Sequence, residues 1–211
     1  MSKKEYLAKI FVVFGITTLI TWIVNFIILI IPFQFKIAKW VYLFSQEVSE
    51  RSIFPLLGLL AVVGGTYLCN SAKESKCRCA VWAERVSAVL SIFFFAGLVT
   101  IAVVYSLSVR PLLADVKTQI LGEADKVKSQ IVMMAQSNPS IKQENIQNGL
   151  QDLEKRVGME LAGAKNDIIT NSVKIIFDLL AFALAYLILA VLLIKMSLLK
   201  ETKVKTESCL F

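Results

Sequence analysis

The residues able to do chemistry are few and scattered. No histidine occurs among the 211 residues, which removes imidazole bases, histidine metal ligands and every Ser-His or Cys-His nucleophile pair. Four cysteines remain, Cys69, Cys77, Cys79 and Cys209. Cys77-Arg78-Cys79 offers two thiolates to a soft metal, but no second cysteine pair completes a tetrahedral site. We therefore expect no metal and unpaired thiols, with acylation as the chemical alternative. Asp178 is the one acid within the apolar run 175–194, and ionisable residues in such runs are functional candidates. A plainer reading pairs it with Lys174, four residues earlier on the same helical face. Asn25, inside the first apolar run, can bond across to another helix, a contribution of about 0.6 kcal/mol. No phosphate-binding glycine loop, dinucleotide fingerprint or nucleophile elbow is present. We expect no catalytic residues and no cofactor, and read the chain as no enzyme.

The elements that hold these residues follow from composition. The chain is 56% hydrophobic and only 18% charged, with a mean hydropathy of +0.67. A soluble fold of this size could not bury that much apolar surface. Runs long enough to cross a bilayer, which takes about 20 residues, lie at 10–31, 53–69, 86–109 and 175–194. The first run is too long for a secretory signal core and lacks a cleavage pattern, so it reads as an uncleaved anchor. Four spans place both termini on one side. The short segments 1–9, 70–85 and 195–211 carry 11 Lys or Arg against 5 acids, whereas 32–52 and 110–174 carry 12 against 10 in twice the length. The positive-inside rule then puts both termini in the cytoplasm. The net charge of +7 becomes a topology signal, and nucleic acid is not expected as a partner. All four cysteines fall at or beyond the cytoplasmic membrane face, where thiols stay reduced.

Only 110–174 is large enough to form an extramembrane domain. Leu113, Val116, Ile120, Ala124, Val127, Ile131 and Met134 recur in steps of three and four, and so do Ile146, Leu150, Leu153, Val157, Leu161, Ala164 and Ile168. Such stripes belong to amphipathic helices. Ser137-Asn138-Pro139-Ser140 marks a turn between them, and Ser140 with Gln143 can cap the second helix. The pattern predicts two antiparallel helices about 40 Å long, with Arg110-Pro111 as a kink or brief break at the first junction. Gly122, Gly149, Gly158 and Gly163 weaken these helices, each by up to about 1 kcal/mol relative to Ala. A narrow two-helix seam weakened in this way points to a further partner, with Ile120, Val127, Leu150, Leu153 and Val157 as candidate partner-binding residues. The competing reading is a self-satisfied hairpin that merely links two spans.

The expected organisation is three spans in 1–109, the hairpin in 110–174, and a fourth span with a basic tail in 175–211. Within the first part, 70–85 is a basic cytoplasmic loop and 32–52 an outer loop. In the outer loop Phe33, Phe35, Ile37, Trp40, Val41, Leu43 and Phe44 interleave with Lys36 and Lys39. It reads as an amphipathic stretch lying in the lipid interface, with partner contact through Trp40 as the alternative. Gly58, Gly64 and Gly65 in the second span allow close helix approach. The fold class is all-α: a polytopic membrane protein with four transmembrane helices and an extramembrane antiparallel helical hairpin.

Some stretches also resemble the cyanobacterial HpsJ-like membrane proteins, a family associated with hormogonium polysaccharide secretion and cyanoexosortase loci. They are Asn25-Phe-Ile-Ile-Leu-Ile-Ile-Pro32, Glu50-Arg-Ser-Ile-Phe-Pro-Leu-Leu-Gly-Leu59, and Asn171-Ser-Val-Lys174 entering the last span. The Glu-Arg then Pro-Leu-Leu-Gly step is the most specific. The hairpin is poorer in glutamine than the family pattern, and Cys-Arg-Cys departs from it. The resemblance implies a plasma or thylakoid membrane and an accessory role, and it supplies no catalytic residue. The expected function is a non-catalytic scaffold subunit of a larger membrane complex, in polysaccharide secretion by the resemblance. The alternatives are an accessory subunit of a photosynthetic complex and a small oligomeric transporter or channel built around Asp178 and Asn25. The partners are then a membrane protein complex, the lipid bilayer and a possible second copy of the chain.

Overall fold

A computed structural model describes residues 3–31, 34–72, 78–137 and 143–208. Its elements are α1 (Lys3–Ile30), α2 (Ala38–Arg51), α3 (Ile53–Ala72), α4 (Arg78–Ser137) and α5 (Gln143–Ser208). No strand occurs among the described residues. Four stretches are long and apolar enough to cross a membrane: Lys3–Ile30, Ala38–Cys69, Val81–Ser137 and Gln143–Leu198. Their number and order are those the sequence led us to expect. Several hydroxyl side chains inside them are satisfied locally, as lipid would require. Thr17 and Thr18 donate to the carbonyls of Val13 and Phe14, each at 2.9 Å, and Thr100 donates to that of Ala96 at 2.8 Å.

Helices α1 and α3 pack through glycine. A Cβ on Gly15 would lie 2.6 Å from the carbonyl oxygen of Gly58, and one on Gly65 would lie 2.8 Å from that of Ala8. The small positions Ala8 and Gly15, and Gly58 and Gly65, are thus spaced by one heptad on each partner, letting the backbones touch. Gly64, expected to join them, meets nothing and plays no part in the contact.

Helices α4 and α5 run antiparallel. Arg85 donates to the Ser197 hydroxyl at 3.3 Å at one level, and Tyr105 and Ser172 share a 2.8 Å hydrogen bond between their hydroxyls at another. Tyr105, Leu179, Tyr186 and Leu193 are the buried heart of this pairing.

Two expectations are corrected here. Within the segment 34–52 the apolar residues do not all face outward. From Ala38 it is the helix α2, separated from α3 by Ser52 alone, and Val41, Phe44 and Val48 are buried in the same core as Tyr105 and Leu179. Their spacing of three and four makes one apolar face, which packs on protein rather than on lipid. The second correction concerns only the brief break allowed at Arg110-Pro111, since α4 continues through it as one helix. Pro111 withholds one N–H from the carbonyl of Leu107, yet the neighbouring Leu112 is buried and anchors the helix across the defect.

Pro55 does the corresponding damage at the α2–α3 boundary, where it cannot bond the carbonyl of Arg51. Nearby, the Tyr186 hydroxyl reaches across from α5 and donates to the carbonyl of Ser52 at 2.9 Å. Tyr186 is fully buried, so Tyr186→Phe leaves that carbonyl without its cross-helix donor. The expected cost is about 1–2 kcal/mol, read as a fall of a few degrees in the thermal midpoint of the detergent-purified protein. An unchanged midpoint would show that the bond contributes nothing.

Candidate functional site

Beyond Leu112 the character of α4 and α5 changes. Below that level the contact face includes fully buried residues; above it no residue is more than half-buried. On α5 all seven stripe positions, including Leu150, Leu153 and Val157, are half-buried, and their neighbours are almost all exposed. On α4, Leu113, Val116, Ile120, Ala124 and Ile131 behave the same way. Val127 and Met134 do not: they are 41% and 63% exposed, and Ala135 is half-buried in place of Met134. Val127 therefore sits beside the seam rather than in it. The turn at 138–142, with the Ser140 cap, lies outside the described residues.

The half-buried stripe is flanked by charge. Asp115, Lys117, Asp125, Lys126 and Lys128 on α4, and Asp152, Glu154, Lys155 and Arg156 on α5, are all exposed. No ion pair joins them among the described residues. Their charges are therefore not spent within the chain. The four glycines of this section meet nothing at their Cβ positions, so no close backbone approach requires them; they only loosen the helices.

The intramembrane candidates separate. Asp178 is half-buried on α5, and Lys174 is exposed. No ion pair joins the two, so the plain reading of Asp178 as a paired acid is corrected. Asn25 is exposed and makes no side-chain hydrogen bond among the described residues. It lines a small notch with Trp22, Glu47 and Arg51. Glu47 and Arg51 form a 2.6 Å ion pair on α2, and Gln46 donates to Glu50 at 3.0 Å beside them. Sequence reasoning missed this polar face because it assigned α2 to an outer loop. Trp40 is half-buried, stacked on Phe44 at 5.0 Å and edge-on to Phe35 at 4.7 Å, so its ring is already engaged inside the chain.

Sequence reasoning also missed Glu84, only 1% exposed near the N-terminus of α4, because it fell two residues outside the apolar run. Cys69 is a free, half-buried thiol; the side chains of Cys77, Cys79 and Cys209 lie outside the described residues. Among the described residues no three metal-ligating side chains come together.

A family model for HpsJ-like proteins matches residues 6–167. The chain belongs to the HpsJ-like family. The matched range covers α1 to α4 and the α5 stripe up to Ala164, and it includes the 25–32 and 50–59 stretches that carried the resemblance. Asn171 to Lys174 and the last apolar run fall beyond it. Neither a curated protein nor a solved structure matches the chain.

Proposed function

We propose that this HpsJ-like protein is a non-catalytic accessory subunit that anchors in a membrane and binds a larger membrane complex through an extramembrane helical arm. In this reading α1, α2–α3 and the inner parts of α4 and α5 cross the bilayer, with both termini cytoplasmic. Residues 112–170 then stand off the opposite face as an antiparallel hairpin. The antiparallel pairing of α4 and α5 lower down supports this geometry. So does length: α4 is 60 residues, about 90 Å, while the hydrocarbon core takes up about 30 Å.

The observation that carries the function is the half-buried stripe on both helices. A stripe that two helices cannot fully cover, with unpaired charges at its edges, has the make-up of a contact surface. The resemblance stated above adds polysaccharide secretion as the setting. One observation favours a second reading, an oligomeric transporter: Asp178 is an acid of an apolar helix with no ion-pair partner among the described residues.

The deciding experiment solubilises native membranes in mild detergent and identifies what co-migrates with the chain on a native gel. Glycan-export or exosortase subunits in fixed ratio are the expected result. Photosynthetic subunits would keep the accessory role and change its setting. A lone species, or a homo-oligomer only, would overturn the scaffold reading and favour the transporter.

A further inference from the structure

We propose that the outward face of α2 and α3 receives a membrane-spanning helix of a partner protein, and that this helix carries a lysine or arginine opposite Glu50. The inference rests on the four-span reading and adds an intramembrane contact to the arm. Two contacts give the depth of α2. Glu47 and Arg51 border one notch with Trp22, Asn25 and Leu29 of α1, and Trp22 lies about 2 Å from the midpoint of the apolar run 10–31. The Ser52 carbonyl, next to Arg51, accepts from Tyr186, which lies about 2 Å from the midpoint of the run 175–194. Both contacts put Arg51 near the centre of the hydrocarbon. Glu47, one turn outward, stays within the half-thickness of about 15 Å. Charged groups at such depth ordinarily face protein or water, since snorkelling serves residues near helix ends. Here the side chains of Glu47 and Arg51 are 40% and 45% exposed, and Glu50 is exposed as well.

The pattern around these charges selects a helix as the occupant. Leu43, Glu47, Glu50, Phe54 and Leu57 recur in steps of four, three, four and three, and none of the five is buried. Ser52, between α2 and α3, is itself right-handed helical, with φ −63° and ψ −19°, so the stripe crosses the boundary on one face. Such a stripe is the seam on which a second helix packs, and polar residues within it fix the register. Its ends, Leu43 and Leu57, are apolar and interrupt any water path along the face. Gly64, one heptad beyond Leu57, meets nothing in its own chain and leaves room for a neighbour's backbone. Charge then selects the partner. Arg51 is paired with Glu47. Glu50 accepts a hydrogen bond from Gln46 and makes no ion pair among the described residues, so the face holds one uncompensated carboxylate. A lysine or arginine complements it. A second copy does not, because two copies related by an axis along the membrane normal meet at equal depths, which sets Glu50 against Glu50.

The probe is an all-leucine spanning peptide with one lysine at its centre, compared with its all-leucine counterpart. Each is reconstituted with the full chain into phosphatidylcholine vesicles, and energy transfer from a dye on the chain reads the association. The wild type is expected to bind the lysine peptide about tenfold more tightly, the worth of one charged hydrogen bond. Glu50→Gln keeps the size and removes the charge, and it is expected to bind the two peptides equally. A contact of this strength adds to the arm rather than replacing it, and the peptide does not involve the arm. In native membranes, a photoreactive phenylalanine analogue in place of Phe54 is expected to link to a spanning segment of another protein with a basic residue at that depth. Equal binding of the two peptides by the wild type, an unchanged preference in Glu50→Gln, or a link only to lipid or to a second copy overturns the assignment. Failure of the wild type to float with the vesicles would overturn the four-span reading, and the site with it.

Discussion

Gly15→Leu is expected to force α1 away from α3 and to unfold the bundle at temperatures the wild type survives. The Cβ alone would sit 2.6 Å from the Gly58 carbonyl oxygen and 2.8 Å from both the backbone nitrogen and a methyl of Val62. Two of these three atoms are backbone, which cannot rotate away as a side chain can. Relief requires the helices to separate along the whole stripe, which also breaks the approach of Gly65 to Ala8. In lipid such packing is the main force between helices, so little compensates. Overpacking costs about 1–3 kcal/mol where side chains can adjust, and backbone opposition puts this case at the top of that range or beyond it. A domain of this size loses about 2–4 °C for each kcal/mol, so the midpoint in detergent should fall by roughly 10 °C. The control is Gly64→Leu, one residue from Gly65, where a Cβ meets nothing. Both changes raise apolarity equally, so membrane insertion is held constant. Equal midpoints for the two variants would refute the glycine contact.

That contact was only half legible in the sequence. Gly58, Gly64 and Gly65 are visible as small residues in an apolar run, but periodicity does not say which of two adjacent glycines faces a neighbour. The partner positions Ala8 and Gly15 carry no local mark at all. The number of helices long and apolar enough to cross a membrane was legible, because lipid demands about 20 apolar residues whatever the tertiary fold. The extent of the second span was not. Lys39, Glu47, Glu50 and Arg51 lower the hydropathy of α2, yet Val41, Phe44 and Val48 carry a clean helical stripe. An amphipathic stripe declares that one face will be covered; it does not say whether lipid or α4 and α5 will cover it.

The same limit shaped the candidate site. The α5 stripe was legible at every position because its steps hold one face over the whole length. On α4 the steps drift: a straight helix rotates about 20° per heptad relative to a strict seven-residue repeat. After two heptads Val127 and Met134 have turned outward and Ala135 has turned in. The pairs Tyr105–Ser172 and Tyr186–Ser52 were invisible, since each joins residues more than sixty positions apart with no pattern linking them. Ser45 and Gly97, which line an uncharged hollow, read in the sequence as ordinary small residues. Only the space around them gives them meaning.

Leu150→Asp combined with Val157→Asp is expected to abolish association with the partner complex while leaving the chain in the membrane. Both side chains are half-buried in the α5 stripe, two turns apart, so the double change places two carboxylates along one seam. Burying a charge without a partner costs several kcal/mol, and the escape is for the helices to part. The opening should be confined to the arm. Below it the fully buried core around Tyr105, Leu179 and Tyr186, with its two tyrosine hydrogen bonds, is untouched. Limited proteolysis of intact membranes should therefore cut within 112–170 in the double variant and spare the wild type, while alkaline extraction should leave both membrane-bound. Met133→Asp is the companion variant, because Met133 is 66% exposed and its change cannot open the seam. Loss of binding in Met133→Asp as well would place the partner on the outer face of α4. Loss in the double variant alone would mean that the partner reads the closed pair of helices. Survival of the complex in the double variant, with the arm shown open by proteolysis, would remove residues 112–170 from the interface and leave the polar face of α2 as the surface to examine.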